Sequence, residues 1–146
     1  MPTAGRLMGA IAFAALAFYL SELYKPLMPE DANPGRLSEI NALVGALVGW
    51  VIAGKRAGSG TRSAIGYGLT TAAAVIFWCL FVHAFNEMID RALQVSYNGG
   101  MEAVVAVFDL MLEFAQPMLT QSYVIAAVIA ALAAGLITEL FGQRYP

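Results

Sequence analysis

The fold is decided by the stretch FAQPMLTQSYVIAAVIAALAAGLIT, residues 114–138, in which twenty-five consecutive residues carry no charge. Between Val124 and Ile137 the only residue that is not apolar is Gly135, so this segment has no polar face. A helix on the surface of a soluble protein keeps a polar face, whereas a helix that is hydrophobic all round suits a membrane. Because about 20 apolar residues cross the hydrocarbon of a bilayer as an α-helix, the stretch predicts a membrane span.

Three further stretches lack charged residues: residues 63–86 over twenty-four positions, and residues 7–21 and 40–54 over fifteen positions each. The chain of 146 residues is 60% hydrophobic and 12% charged, against about a quarter charged in ordinary soluble domains. We therefore predict an all-α, polytopic membrane helical bundle, which forms a single integral membrane domain over residues 1–146. An extramembrane helical hairpin joins the third of its four transmembrane helices to the fourth.

Prolines and glycines place the boundaries of these helices. Pro26, Pro29 and the turn Asn33-Pro34-Gly35 separate the first helix from the second, since the residue before a proline is pushed out of the helical region. Gly99-Gly100 is the expected turn of the hairpin. The predicted spans are residues 4–24, 37–54, 62–85 and 119–141, and the predicted hairpin is residues 86–116.

The second arm of the hairpin has helical periodicity. Its predicted apolar face consists of Val104, Val105, Phe108, Met111 and Leu112. Antiparallel pairing about the glycine turn brings Arg91 close to Asp109, so an ion pair is predicted between them. A fifth span over residues 101–118 is the alternative, but it would place Asp109 and Glu113 in hydrocarbon at a cost of about 2.5 kcal/mol or more each.

Charge, cysteine content and motifs exclude several classes of protein. A formal net charge of −2 argues against nucleic acid as a partner, because proteins that bind it carry clustered cations. The single cysteine, Cys79, excludes an internal disulfide and every multi-cysteine metal site. The sequence contains no Gly-x-Ser-x-Gly, no Walker loop and no HExxH. We therefore expect a protein that is not an enzyme and that uses no cofactor.

The distribution of lysine and arginine predicts the topology. With the N-terminus and the C-terminus in the cytoplasm, five cations lie inside and three outside. The inner set is Arg6, Lys55, Arg56, Arg62 and Arg144, and the outer set is Lys25, Arg36 and Arg91. This modest bias also leaves open dual insertion as an antiparallel dimer. Residues 1–20 have some features of a cleaved signal peptide, but three further spans give this helix partners, so we expect it to be retained.

Small residues recur at helical spacing in the last three spans. Helices in lipid gain little from the hydrophobic effect among themselves, so close approach at small residues has to hold them together. The expected contact residues are Gly45 and Gly49 in the second span, Gly66, Thr70 and Ala74 in the third, and Ala127, Ala131 and Gly135 in the fourth. Packing within one chain is the preferred interpretation, and a homodimer seam is the alternative.

A polar cluster is predicted at the outer ends of the spans. The first two spans have fifteen uncharged residues, which cover only about 22 Å of the roughly 30 Å of hydrocarbon, so their polar ends are drawn toward the membrane. On the third helix, further polar residues reach the same level. The candidate cluster is Glu22, Glu39, Asn41, His83, Asn86 and Glu87.

Cys79, His83 and Glu87 recur at every fourth residue and therefore project from one helical face. The functional hypothesis is a ligand set for a metal or metalloid, or a proton relay through His83. The structural hypothesis is a buried thiol, a hydrogen-bonded imidazole and a pair between Glu87 and Arg91, and we prefer it. Glu139 is interpreted as an interfacial carboxylate with which Arg6 or Arg144 could pair.

Four stretches of the sequence resemble a known family. They are Met1-Pro2-Thr3-Ala4-Gly5-Arg6-Leu7, Ser21-Glu22-Leu23-Tyr24-Lys25-Pro26-Leu27-Met28-Pro29-Glu30, Glu39-Ile40-Asn41-Ala42-Leu43-Val44-Gly45 and Phe85-Asn86-Glu87-Met88. In these stretches the chain is similar to the TrgA family of bacterial tellurium-resistance membrane proteins. The resemblance implies a multi-pass inner-membrane protein linked to tellurite tolerance, and it supplies no catalytic residues.

Physical chemistry argues for an indirect role in tellurite resistance. Clustered carboxylates repel an oxyanion such as tellurite unless protons, a bound cation or Arg36 and Lys25 offset them. One thiol cannot supply electrons for repeated reduction without an external donor. The preferred hypothesis is a non-enzymatic bacterial inner-membrane protein that acts through envelope function or a partner complex. The alternative is a small oligomeric proton- or ion-coupled transporter of metalloid or other small solutes, with Glu22 or Glu87 and His83 as carriers. Besides the lipid bilayer, the partner is a second copy or another membrane protein.

Overall fold

A computed structural model describes residues 4–28, 35–94 and 99–144 of the chain. Apart from short turns, these residues are helical, and no strand occurs among them. The helices are α1 (Ala4–Tyr24), α2 (Leu37–Val48), α3 (Gly54–Arg56), α4 (Thr61–Gln94), α5 (Gly100–Ala115) and α6 (Gln121–Arg144). The predicted all-α helical bundle is confirmed. Pro29, Asn33 and Pro34 of the first predicted turn lie outside the described residues.

Four segments are long and apolar enough to cross a membrane: Ala4–Leu27, Leu37–Arg56, Thr61–Leu93 and Gln121–Arg144. The chain is therefore a multi-pass membrane protein. A π-helical turn, Gly49–Ala53, joins α2 to α3 in the second span. Short 3-10 helices with a proline in their first turn, Lys25–Leu27 and Gln116–Leu119, follow α1 and α5. These prolines end the regular helices close to the predicted boundaries.

Glycines of the second span lie directly against α1. A Cβ atom added to Gly45 would meet the Phe13 carbonyl oxygen, and one added to Gly49 would meet the Gly9 carbonyl oxygen. The next contact in this row is Gly54 against the Cα atom of Arg6, five residues after Gly49 rather than four. A π-helical turn holds one extra residue, so it keeps Gly54 in the row. The predicted packing role of Gly45 and Gly49 within one chain is confirmed.

A second close contact joins α4 to α6. A Cβ atom on Gly135 would lie 2.6 Å from the Ala64 carbonyl oxygen, and one on Gly68 would lie 2.8 Å from the Ala131 carbonyl oxygen. This confirms the predicted role of Gly135. The role predicted for Gly66 in packing within one chain is wrong, because nothing described lies within 4 Å of a Cβ atom built there. Gly68, two residues further on, occupies the packed face instead.

Helices α4 and α5 form the predicted hairpin. Ala84, Val107, Leu110 and Met111 are buried where the two helices meet. Only Met111 belongs to the predicted apolar face of α5, and Val104, Val105, Phe108 and Leu112 are exposed. The face that packs on α4 is therefore rotated from the expected one. The expected pair between Arg91 and Asp109 is also wrong: among the described residues, the carboxylate against Arg91 is that of Glu87, at 3.1 Å.

Glu139 is buried in the bundle, with 2% of its surface exposed. It accepts hydrogen bonds from the amides of Gly58 (2.8 Å) and Gly60 (2.6 Å), from the Tyr67 hydroxyl (2.8 Å) and from Gln143 Nε2 (2.7 Å). The interpretation of Glu139 as an interfacial carboxylate did not anticipate this burial or these donors. Glu139 instead fastens the loop between α3 and α4 to α6.

Candidate functional site

A cavity of about 340 Å³ lies among the spanning helices at the end of the bundle that carries the hairpin. Its walls come from the last turns of α1, the first turns of α2, the middle of α4 and the start of α6. Phe114 at the end of α5 and Met118 in the following 3-10 helix complete the wall. The hairpin therefore contributes to the cavity as well as extending α4.

A row of hydrogen bonds crosses this region from α4 to α1. His83 Nε2 lies 2.7 Å from Asn41 Oδ1, and Asn41 Nδ2 donates to Ser21 Oγ over 2.7 Å. The Ser21 hydroxyl in turn donates to the Ala17 carbonyl oxygen, one helical turn back, over 2.7 Å. Ser21 and Asn41 are buried. In an apolar bundle such groups require partners, because a buried polar group without one costs about 1–3 kcal/mol.

The direction of this row fixes the tautomer of a neutral His83. A backbone carbonyl can only accept, so the Ser21 proton points to Ala17 and the Ser21 oxygen must accept from the Asn41 amide nitrogen. The Asn41 oxygen then faces the imidazole, and Nε2 must be the protonated nitrogen. Nδ1 keeps its lone pair, and no hydrogen-bond partner for it occurs within the described parts of the chain. His83 lines the cavity and therefore offers an acceptor.

Tyr123, at the start of α6, supplies a second polar group to the cavity. The residue is 5% exposed and packs edge-on against Tyr24, with ring centroids 6.4 Å apart. Its hydroxyl has no hydrogen-bond partner among residues 4–28, 35–94 and 99–144. The oxygen is also not sealed off by protein. Tyr123 is one of the residues that line the cavity, so this unpaired hydroxyl is a candidate ligand contact.

The predicted polar cluster is only partly assembled. Asn41, His83, Asn86 and Glu87 line the cavity. Glu22 does not line it, and instead accepts from the Ser38 hydroxyl (2.7 Å) and from Lys25 Nζ (2.9 Å). Glu39 is exposed on α2 and is also absent from the wall. The two amides, the imidazole and one carboxylate thus converge, and the other two carboxylates lie apart.

The hypothesis of a metal or metalloid site at Cys79, His83 and Glu87 finds no support. In the described part of the chain no three His, Cys, Asp or Glu side chains are grouped as metal ligands would be. Cys79 is buried with 6% of its surface exposed, His83 bonds to Asn41, and Glu87 bonds to Arg91. These are the contacts that the structural hypothesis predicts.

Three residues that contribute to the candidate site were not among the residues of the predicted polar cluster. Ser21 is a small hydroxyl residue in the last turns of an apolar helix, and this was the signal available in the sequence. Tyr123 has the pattern of an interfacial anchor, which conceals its burial. Tyr24 donates from its hydroxyl to the Phe114 carbonyl oxygen over 2.8 Å and so ties α1 to the end of α5. That contact joins residues ninety positions apart and leaves no local pattern.

Four spanning helices around a partly polar cavity define the class: a multi-pass α-helical membrane protein with a site among its spans. No family model matches the chain, and no curated protein and no solved structure matches it.

Proposed function

We propose that this chain is a non-enzymatic protein of the bacterial inner membrane that works by binding at its cavity. In this proposal it contributes to tellurite tolerance indirectly, through envelope function or a partner complex. The observation that carries the binding role is that two residues lining the cavity, His83 and Tyr123, each keep a polar atom without a hydrogen-bond partner among the described residues. A mostly apolar cavity with a few convergent polar groups is the usual form of a small-molecule site. The link to tellurite rests on the resemblance to the TrgA family.

The surroundings of Cys79 support binding rather than catalysis. Reactive cysteines lie in partly exposed, electropositive surroundings that stabilise the thiolate. Cys79 is 6% exposed and packs in a cluster of apolar side chains that includes Val75 and Tyr123. A thiol in that position packs as a small apolar residue.

The hydrogen-bond row also argues against a proton-coupled transporter. A relay needs groups that accept a proton on one side and release one on the other. The row from His83 through Asn41 and Ser21 ends on the Ala17 carbonyl oxygen, which has no proton to release. We therefore assign these residues to holding the imidazole in place, and not to moving ions.

Two substitutions at one position test the binding role. Cys79→Phe fills part of the cavity with a ring, whereas Cys79→Ala removes the thiol and leaves the space open. In cells whose own copy is deleted, we expect Cys79→Ala to restore tellurite tolerance and Cys79→Phe to fail at an equal amount of protein in the membrane. Full tolerance with Cys79→Phe would contradict the proposal. Loss of tolerance with Cys79→Ala would instead favour thiol chemistry.

A further inference from the structure

We infer that the cavity takes an uncharged, largely apolar molecule with a hydroxyl group, such as a phenol dissolved in the lipid. The ligand hydroxyl donates to His83 Nδ1, and the Tyr123 hydroxyl bonds to an oxygen of the same ligand. Because this inference names the ligand of the proposed function, it rests on that function. Size, hydrogen-bond direction and charge each lead to it.

Size sets the first limit on the ligand. The cavity holds about 340 Å³, and an apolar protein cavity of about 150 Å³ is known to accommodate benzene. Two fused or linked six-membered rings therefore fit, whereas a whole phospholipid does not. Most of the wall is apolar, with Leu20, Val75, Ile76, Leu80 and Phe114 among its residues. The body of the ligand must accordingly be apolar.

Hydrogen-bond direction sets the second limit. His83 offers a lone pair and no proton to the cavity, because Nε2–H is committed to Asn41. A ligand that meets this nitrogen must carry a donor. Tyr123 can donate or accept, so it pairs with the oxygen of a hydroxyl as readily as with an ether oxygen. A hydroxyl group satisfies both side chains, and an ether or a ketone leaves the imidazole unpaired.

Charge sets the third limit. A carboxylate or phosphate only accepts hydrogen bonds, so it would face the His83 lone pair acceptor to acceptor. The charged residues on the wall, Arg36 and Glu87, are at least partly exposed, and Glu87 is already bonded to Arg91. Exposed charges of this kind discriminate weakly between ligands. The buried part of the cavity wall therefore determines which ligands bind, and it favours a neutral molecule.

Three naphthalenes of similar size test these limits: 1-naphthol, 1-methoxynaphthalene and 1-naphthoate. Each is titrated calorimetrically into vesicles that contain the full-length protein, and the heat of partition into protein-free vesicles is subtracted. We expect saturable binding of 1-naphthol that is about tenfold tighter than that of 1-methoxynaphthalene, since the ether leaves one buried acceptor unpaired. Equal affinity of the two, tighter binding of 1-naphthoate, or no saturable binding at all would each overturn the inference.

Matched variants locate the binding. Tyr123→Phe removes one hydroxyl and keeps the ring, and we expect it to weaken 1-naphthol binding about tenfold. Tyr19→Phe makes the same change on a residue that is 51% exposed and does not line the cavity, and we expect no effect. Cys79→Phe should abolish binding of 1-naphthol. If Tyr123→Phe binds as tightly as the wild type while circular dichroism reports the same helix content, the assigned site is wrong.

The calorimetric and cellular experiments fail in different ways. If 1-naphthol binds tightly and selectively but Cys79→Phe cells keep full tellurite tolerance, the inferred ligand class holds and the proposed function is wrong. Lost tolerance in those cells without any 1-naphthol binding would keep the function and overturn the ligand class.

Discussion

Glu139 illustrates at the scale of one residue how a carboxylate is kept inside an apolar bundle. A buried charge is costly unless several donors surround it. The loop between α3 and α4 supplies two of them, because Gly58 and Gly60 have φ angles of +93° and +116° that point both amides at the same carboxylate. Residues with a Cβ atom rarely adopt these angles. Glycine at positions 58 and 60 thus allows the backbone conformation in which both amides bond to Glu139.

We predict that Glu139→Gln destabilises the fold by about 2 kcal/mol or more. The substituted amide keeps one acceptor oxygen and turns a donor toward other donors, which leaves buried groups unpaired. Unfolding in sodium dodecyl sulfate, followed by circular dichroism, measures the change. Glu113→Gln, at an exposed position on α5, is the control and should alter the free energy of unfolding by less than about 0.5 kcal/mol. Equal effects of the two substitutions would contradict the anchoring role.

The sequence predicted those site residues whose chemistry is unusual in a membrane span. An imidazole and an amide in apolar helices stand out, and the shared depth of Asn41 and His83 followed from span length. Tyr123 could not be found this way, because the same pattern marks a tyrosine at a lipid interface and a tyrosine in a cavity wall. The burial of Glu139 was missed because two of its four donors are backbone amides about eighty residues away. Side-chain patterns do not reveal such partners.

At the scale of helices, the row of glycines between α1 and the second span holds the bundle together. We predict that Gly49→Ala destabilises the protein by about 1–3 kcal/mol, as overpacking does. The added Cβ would meet the Gly9 carbonyl oxygen and lie 2.8 Å from the Phe13 Cβ atom. Gly66→Ala is the control, since open space surrounds that position, and it should stabilise the helix by about 0.5–1 kcal/mol. Detergent unfolding compares the two.

The error at Gly66 has a physical cause in the sequence of α4. Small residues fall on two of its faces, one that contains Gly66 and Thr70 and one that contains Ala64 and Gly68. Spacing alone matches both faces, and only the position of α6 selects the second. The same limit applies to α5, whose apolar residues extend around more than one face. Periodicity therefore predicted the helices, but for α4 and α5 it did not predict which side meets the neighbouring helix.

The hairpin depends on a small residue at its centre. Ala84 is 0% exposed between α4 and α5, so the contact has no space for a leucine side chain. We expect Ala84→Leu to separate α5 from α4. We expect amide hydrogen exchange in α5 to accelerate at least about tenfold, because a substitution that overpacks a contact costs about 1–3 kcal/mol. Ala73→Leu, at an exposed position of α4, is the control. Unchanged exchange in α5 of the Ala84→Leu protein would indicate that the hairpin packs in another way.

At the scale of the whole molecule, the length of α4 determines how the protein meets the membrane. Its 34 residues extend about 50 Å, against about 30 Å of hydrocarbon. We expect the excess to project on one side, where α5 packs against α4, next to the cavity along the middle of α4. Four spans would return the chain to its starting side, so we expect Ala4 and Arg144 on the same face of the membrane. The excess of lysine and arginine at that face supports placing it in the cytoplasm.

Labelling of single cysteines tests this topology. In a Cys79→Ala background, Ser59→Cys lies in the loop between α3 and α4, and Glu113→Cys lies near the end of α5; both positions are exposed. We expect a membrane-impermeant maleimide to label Glu113→Cys in intact spheroplasts and Ser59→Cys only after permeabilisation. The reverse pattern would invert the protein while keeping the fold, and partial labelling of both positions before permeabilisation, completed only afterwards, would indicate dual insertion. Since the ligand inference depends on the residues that line the cavity and not on the side they face, it survives inversion, whereas the proposed orientation does not.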